Sequence, residues 1–199
     1  MVVSRRTALG LALGFGFPLA VSRVAAAVEL ARSGPLRNAK LCCPLPGGVL
    51  SGYAGDTGLD IGGQALGVHA IAAGTLDYSE RGHTRWTSPR DTAFSVRLAL
   101  DEPIALGSRR VTHVYHTHMA KLFFQKAEGE ARVIRVAAGE ALGVSGTANG
   151  VPHLHLGLLC DGHVDQDSWA FILREHEIRK VLGGYTNGER FPPLPVRSI

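Results

Sequence analysis

The sequence predicts a mostly β domain on three observations. The 199 residues include 25 glycines, which divide the chain into short apolar runs. Several of these runs alternate apolar and polar residues with the period of two that is typical of a strand. A helical pattern occurs only near the C-terminus. We therefore predict short strands joined by tight turns and followed by one helix.

The first 27 residues are predicted to be an export signal outside the fold. They open with the pair Arg5 and Arg6, continue with an apolar stretch over residues 8–21 and end in small residues. Paired arginines before such a stretch are typical of a twin-arginine signal. We expect cleavage after Ala27 and an exported, periplasmic or extracellular protein, with an uncleaved N-terminal anchor as the alternative. Residues 28–40 are predicted to be a linker.

The charge of the predicted mature chain argues against a nucleic-acid partner. The full chain has 21 Lys and Arg against 17 Asp and Glu, a net charge of +4. Arg5, Arg6 and Arg23 are the only charges in the predicted signal, so 18 basic residues remain against 17 acidic ones. The resulting charge of about +1 lacks the basic excess of a nucleic-acid-binding domain.

Three cysteines, Cys42, Cys43 and Cys160, are expected to form one disulfide and leave one thiol. Export permits disulfides, and neighbouring cysteines rarely bond to each other without strain. We therefore expect Cys160 to pair with either Cys42 or Cys43. Zinc binding by the three is the alternative, although the CxxC spacing of a strong zinc motif is missing.

The strands are predicted in chain order from these runs. Glycine separates the first of them, "GGVLSGYAG", "TGLDIGG" and "GVHAIAAGTLDY". In "TAFSVRLAL" the alternation places four apolar side chains on one face, namely Phe94, Val96, Leu98 and Leu100. In "RRVTHVYHTHM" the same alternation places Val114, His116 and His118 together. "ARVIRVAAGEALGVSG" adds a short strand and a turn.

The segment "VPHLHLGLLC" predicts a strand with two different faces. Residues i and i+2 of a strand point to the same side, so His153 and His155 project together. Leu154, Leu156 and Leu158 point the other way, toward a core. After the turn at "CDGH", the run "DSWAFILREHEIRKVLGG" predicts a helix with its N-cap at Asp165 or Asp167. A proline-rich, extended tail follows it.

Carboxylates and imidazoles on otherwise apolar strands indicate a metal site. They occur in pairs, as Asp56 and Asp60, His116 and His118, and His153 and His155. Such side chains in one cleft suit a divalent transition metal with a catalytic water. The metal would lower the pKa of the water and polarise a carbonyl, while imidazoles could move protons.

A series of motifs follows a fixed order along the chain, "PLPGGVLSGYAG", then "DTGLD", "GVHAIAAGTL", "HTHM" and "AGEALGVSGTANGVPHLHLGL". This order resembles that of the lysostaphin-like, or LytM-type, zinc metallopeptidases that cut peptidoglycan cross-links. The resemblance covers about residues 44–165, and "SGTANGVPHLHLGL" is its most specific part. It implies a single antiparallel β-sheet, open and barrel-like, whose loops form a cleft. The predicted domain is residues 41–165, and the helix and tail occupy 166–199.

The resemblance also implies a role for each matching residue. Asp60, from the family's HxGxD motif, and His155, the second histidine of HxH, are implied ligands of one Zn²⁺ ion. His153, the first histidine of HxH, and His118, from YxHm, are the implied catalytic histidines. His116 stands at the tyrosine position of YxHm and, with Tyr53, is a candidate cleft residue. The implied partner is a peptidoglycan peptide or another cell-wall polymer.

One position departs from the family pattern. The first histidine of HxGxD, which is a zinc ligand in the family, is Asp56 here. A carboxylate can bind zinc, so a site of Asp56, Asp60 and His155 is one interpretation. The other is a degenerate, non-catalytic member that binds the wall or regulates a protein partner. Carrier domains and serine hydrolases are less consistent with the chain, which has neither a lysine at a hairpin tip nor a GxSxG motif in the required context.

Overall fold

The computed structural model describes residues 41–52, 57–84, 88–164, 174–182 and 184–194. The predicted export signal and linker lie outside these residues. The strands are β1 (Val49–Gly52), β2 (Leu59–Gly62), β3 (Gly67–His69), β4 (Gly74–Arg81), β5 (Phe94–Leu106), β6 (Arg109–Leu122), β7 (Arg135–Val136), β8 (Ala141–Ala148) and β9 (Val151–Cys160). One helix, α1, spans Glu175–Val181 within the described residues. The mostly β prediction is confirmed.

The strands form a single antiparallel sheet in the order β1-β2-β9-β8-β6-β5-β4-β7, and β3 pairs with β8. The long strand β6 has two neighbours on the same edge. Its first part, from Val111 to Thr117, pairs with β9, and Met119 to Leu122 pair with β8. The change of partner falls at His118, so this residue stands at an irregular point of the ladder.

One face of the sheet carries the hydrophobic core, as the alternation predicted. Leu154, Leu156 and Leu158 of β9 are buried there. The four apolar residues predicted to share a face of β5 all belong to this core or pack against it. Because successive residues of a strand alternate between faces, His153, His155 and Gly157 lie on the opposite face of β9.

The disulfide prediction is wrong. None of Cys42, Cys43 and Cys160 forms a disulfide, and all three are buried. Cys43 and Cys160 pack within the hydrophobic core, where a thiol behaves as a small apolar group. Burial raises the pKa of Cys42 and of Cys160, which keeps both thiols protonated and less reactive.

The C-terminal segment returns to the first strand. Helix α1 buries Ile178 and Val181, and its N-cap is Arg174. The predicted N-cap, Asp165 or Asp167, lies outside the described residues and is not the N-cap of this helix. In the tail, the N–H of Phe191 donates to the carbonyl of Gly48 at 2.7 Å, and the N–H of Leu50 donates to the carbonyl of Glu189 at 2.9 Å. The tail therefore covers the free edge of β1. No helix in the described parts of the chain is long and apolar enough to cross a membrane.

Candidate metal and acid–base site

Four of the predicted site residues lie together on the face of the sheet opposite the core. Strand β9 lies between β2 and β6, so that Asp60 and Thr117 are both Cα partners of His155. This places Asp60 beside His155, and His153 follows two residues earlier on the same face of β9. The ring of His118 reaches the group from β6, 5.0 Å from the ring of His153 and 6.1 Å from that of His155, measured between centroids.

Asp60 and His155 form a hydrogen-bonded pair. Nδ1 of His155 lies 3.0 Å from Oδ1 of Asp60. Burial raises the pKa of Asp60, but the hydrogen bond from His155 and the fields of the neighbouring histidines outweigh it, so the net shift is downward. Asp60 is therefore an ionised carboxylate at neutral pH, the form that binds metal ions.

The lack of a side chain at Gly58 makes room for the ring of His155. A Cβ at residue 58 would lie 2.9 Å from Nε2 of His155 and would also collide with the carbonyl of Leu156. Real Cβ atoms almost never approach other atoms this closely, and the backbone of β9 cannot move without disturbing the sheet. The glycine of "DTGLD" is thus required by packing against the site.

His153 has a defined tautomer. Its Nδ1 lies 2.8 Å from the carbonyl oxygen of Val151. A carbonyl only accepts, so Nδ1 carries the proton and, in the neutral ring, Nε2 carries the lone pair. Nε2 lies 3.7 Å from Oδ1 of Asp60. The backbone of β9 thereby directs a basic nitrogen toward the Asp60–His155 pair.

His118 enters the site through an unusual backbone conformation. Its φ is +61°, in the left-handed region that residues other than glycine seldom adopt. Burial, together with the nearby His153 and His155, lowers the pKa of His118 to about 4, against the opposing fields of Asp60 and Asp91. The imidazole is therefore neutral at physiological pH.

His116 does not share the face of His118, contrary to the strict alternation predicted for this strand. It is fully buried, and its Cα partners are Val96 and Leu156, both of the core. The left-handed backbone at His118 ends the regular alternation there, which leaves His116 in the core and directs His118 to the site. The structure thus places His116 away from the predicted cleft.

The buried imidazole of His116 should make the protein acid-sensitive. Burial lowers its pKa from 6.5 to about 4, opposed in part by the nearby backbone of Val96, although among the described residues neither ring nitrogen makes a hydrogen bond of normal geometry. Between these two pH values the unfolded chain binds a proton at this residue that the folded chain does not. His116 therefore leaves the free energy of unfolding unchanged above pH 6.5 and lowers it as the pH drops below that value. We expect this residue to cost about 3 kcal/mol of the free energy of unfolding by about pH 4.

Urea unfolding of the wild type and of His116→Leu over this pH range measures that cost. The leucine variant should lose much less stability on acidification, because its side chain fits an apolar site and does not titrate. Parallel pH profiles of the two proteins would show that His116 is not the acid-sensitive group.

The third predicted ligand, Asp56, and the candidate cleft residue Tyr53 lie outside the described residues. Among the residues that the structure describes, no group of three His, Cys, Asp or Glu side chains is arranged to hold a metal ion. The described part of the site nevertheless fits zinc in its chemistry, since Asp60 and His155 offer a carboxylate oxygen and an imidazole nitrogen 3.0 Å apart.

Sequence reasoning missed Thr92, whose hydroxyl donates to the carbonyl of His118 at 2.9 Å. It lies after the segment "SERGHTRWTSPR", 26 residues before His118. No motif or periodicity links the two positions, so only the folded structure shows this contact.

The comparisons with known proteins gave matches among solved structures alone. No family profile and no curated protein matches the chain. A chain from Pseudomonas aeruginosa assigned to peptidase M23 is 19% identical with a TM-score of 0.38, and the alignment covers 68% of this chain and 53% of that one. The antimicrobial peptidase lysostaphin from Staphylococcus simulans is 21% identical with a TM-score of 0.44, covering 84% and 60%. Its catalytic domain is 22% identical with a TM-score of 0.38, covering 67% and 90%.

These solved structures are of the class that the sequence motifs resemble, the M23 and lysostaphin peptidases. The chain spans about half the length of the Pseudomonas chain that it matches.

Proposed function

We propose that the protein is an exported zinc metallopeptidase that hydrolyses peptide cross-links of peptidoglycan. The observation that carries the proposal is the convergence of an ionised Asp60, paired with His155, and two further imidazoles on one face of the sheet. Carboxylate and imidazole donors beside an available base are the components of metal-assisted hydrolysis. The motif resemblance supports the choice of a cell-wall peptide as substrate.

Asp60 and His155, together with Asp56, would hold the zinc ion. When bound, zinc polarises the scissile carbonyl and lowers the pKa of a bound water. For Nδ1 of His155 to become a ligand, the neutral ring would have to carry its proton on Nε2 instead. Asp60 is already ionised and needs no such change.

The two remaining histidines supply proton transfer and orientation. His153 presents the lone pair of Nε2 toward the site, because its Nδ1–H is bonded to the carbonyl of Val151. It can therefore accept a proton from the attacking water and pass it to the leaving amine. His118 is neutral, so it retains an N–H that can donate to the oxyanion that develops on the substrate carbonyl.

The alternative function is a non-catalytic cell-wall module that acts through a protein partner. One observation favours it, the aspartate at position 56 where the family has a histidine. In that case the Asp60–His155 pair serves only to join β2 to β9.

Substitution of Asp56 distinguishes the two functions. If Asp56 is a ligand, Asp56→Ala should lose zinc and activity together, whereas Asp56→His should keep the metal and raise the rate. A neutral imidazole leaves more positive charge on the ion to activate water. If the site is degenerate, the wild type binds no zinc, Asp56→Ala changes nothing and only Asp56→His gains metal.

Zinc stoichiometry by elemental mass spectrometry and release of soluble fragments from purified cell walls measure both properties. Asp101→Ala, which removes an exposed carboxylate on β5, is the control for a general effect of charge. Retention of zinc and activity by Asp56→Ala would contradict its assignment as a ligand.

Export through the twin-arginine route is the localisation that we propose. It is supported by the arginine pair before an apolar stretch and by small residues near Ala27. Conversion of Arg5 and Arg6 to lysine should trap the precursor in the cytoplasm, as measured by cell fractionation and immunoblotting. Undiminished export of this variant would rule out the twin-arginine route and leave a general secretory signal.

A further inference from the structure

The backbone at His118 needs an external support. Its φ of +61° is disfavoured for a side chain with a Cβ. The residue also falls where β6 leaves β9 and joins β8, so it has no Cα partner in either ladder. A disfavoured conformation at an interruption of the sheet persists only where the surroundings fix it.

The side chain of His118 does not supply that support. Its ring is almost fully buried, and among the described residues its Nδ1 has no hydrogen-bond partner. The ring contacts described for it are edge-on approaches to His153 and His155. The position of the imidazole therefore depends on the backbone that carries it.

Thr92 binds that backbone at the point of strain. Its Oγ1 lies 2.9 Å from the carbonyl oxygen of His118 and 3.3 Å from that of Thr147. Its single hydroxyl proton goes to the nearer acceptor, His118. Thr92 is itself held by β8, because Thr147 N–H donates to Oγ1 at 2.9 Å and Thr92 N–H donates to the carbonyl of Thr147 at 2.9 Å.

The neighbouring chain leaves room for this contact. Gly146 lies next to it on β8, and a Cβ there would collide with Oγ1 of Thr92 and stand 2.7 Å from the carbonyl oxygen of His118. A glycine at this position is thus a condition for the hydrogen bond. The contact has a defined donor, a defined acceptor and a space kept open for it.

We propose that Thr92 is a positioning residue that holds His118 in its left-handed conformation and so directs the imidazole into the site. The consequence for catalysis rests on the proposed function, since it requires His118 to take part in hydrolysis. The consequence for the backbone does not. Thr92 acts through the carbonyl of His118 and need not touch the substrate.

Thr92→Val and Thr92→Ser test the proposal in the full mature protein loaded with zinc. Valine keeps the shape of threonine but lacks the hydroxyl, whereas serine keeps it. For Thr92→Val we expect the three-bond HN–Hα coupling of His118 to move toward the value of an extended residue. We also expect kcat to fall by about 10- to 10²-fold, as for a misplaced catalytic group, with zinc stoichiometry and KM nearly unchanged. Thr92→Ser should restore both the coupling and kcat.

Thr112→Val is the matched control. It removes a hydroxyl of β6 that accepts a backbone N–H, from Gly162 at 2.9 Å, at the far end of the strand. It should change neither the coupling of His118 nor kcat. In a His118→Ala background, Thr92→Val should have no further effect on kcat, because residues that act through one another are not additive.

The outcomes separate the inference from the proposed function. An inactive wild type whose His118 coupling still responds to Thr92→Val would overturn the function and uphold the positioning. An active wild type with an unchanged coupling in Thr92→Val would overturn the positioning, whatever the rate. An equal loss of rate in Thr112→Val would also overturn it, because a general loss of stability would then account for the effect.

Discussion

Asp60→Asn should remove zinc from the protein and reduce wall hydrolysis to background. Asparagine has the shape of aspartate, but it is neutral and a poor zinc ligand. In the native site Asp60 is ionised and lies 3.0 Å from Nδ1 of His155, so its charge is the feature that the metal would use. We expect the affinity for zinc to fall by more than about 10²-fold. Removing a residue that only hydrogen-bonds to a metal ligand already weakens binding by up to about that factor, and loss of a ligand should cost more.

The measurement is titration of the apo protein with zinc, followed by fragment release from cell walls at saturating metal. Asp101→Asn is the control, since Asp101 is a carboxylate on β5 that pairs with Arg135 at an exposed position. It should leave zinc affinity unchanged. A zinc-loaded, fully active Asp60→Asn protein would show that Asp60 is not a ligand.

The sequence predicts the part of the site that regular strand geometry determines. His153 and His155 share a face because successive side chains of a strand alternate, and the leucines between and after them pack in the core for the same reason. The proximity of Asp60 to His155 depends on pairing between β2 and β9, 95 residues apart. Local patterns do not specify such pairing, and here the order of motifs supplied it.

The placement of His116 and His118 could not be predicted from the same alternation. One residue in the left-handed conformation interrupts the alternation of the strand, so that His116 and His118 lie on different faces. The sequence "HTHM" contains no glycine that would indicate such a residue. The support for that conformation comes from Thr92 on a distant segment. A local irregularity held by a tertiary contact leaves no periodic pattern in the sequence.

The state of the cysteines and the pairing of the tail with β1 depend on tertiary contacts that the sequence does not show. Export permits a disulfide but does not require one, and the three thiols are enclosed in the packed interior. The proline-rich tail was predicted to be extended, and its pairing with β1 depends on contacts more than 130 residues away in the chain, such as that from Arg190 to Gly47. Only the assembled sheet shows which edge is available to it.

Substitution of the two histidines of β9 should have opposite effects on the metal. His155→Ala removes an implied ligand, so it should lose zinc and activity together. His153→Ala should keep zinc but lose rate by about 10²- to 10⁴-fold, the usual effect of losing a positioned acid–base group. The two residues lie on the same strand face and are nearly equally buried, so each variant is a control for the other.

His118→Ala should behave like His153→Ala, because both implied roles concern protons rather than metal. Zinc stoichiometry, kcat and KM measured for all three variants separate ligands from acid–base residues, since only loss of a ligand changes the first quantity. His163→Ala, at an exposed position beyond β9, should change none of them. Loss of zinc in His153→Ala would show that its Nε2 is the third ligand rather than an acid–base group. The site would then be complete without Asp56, and the aspartate at position 56 would no longer argue against catalysis.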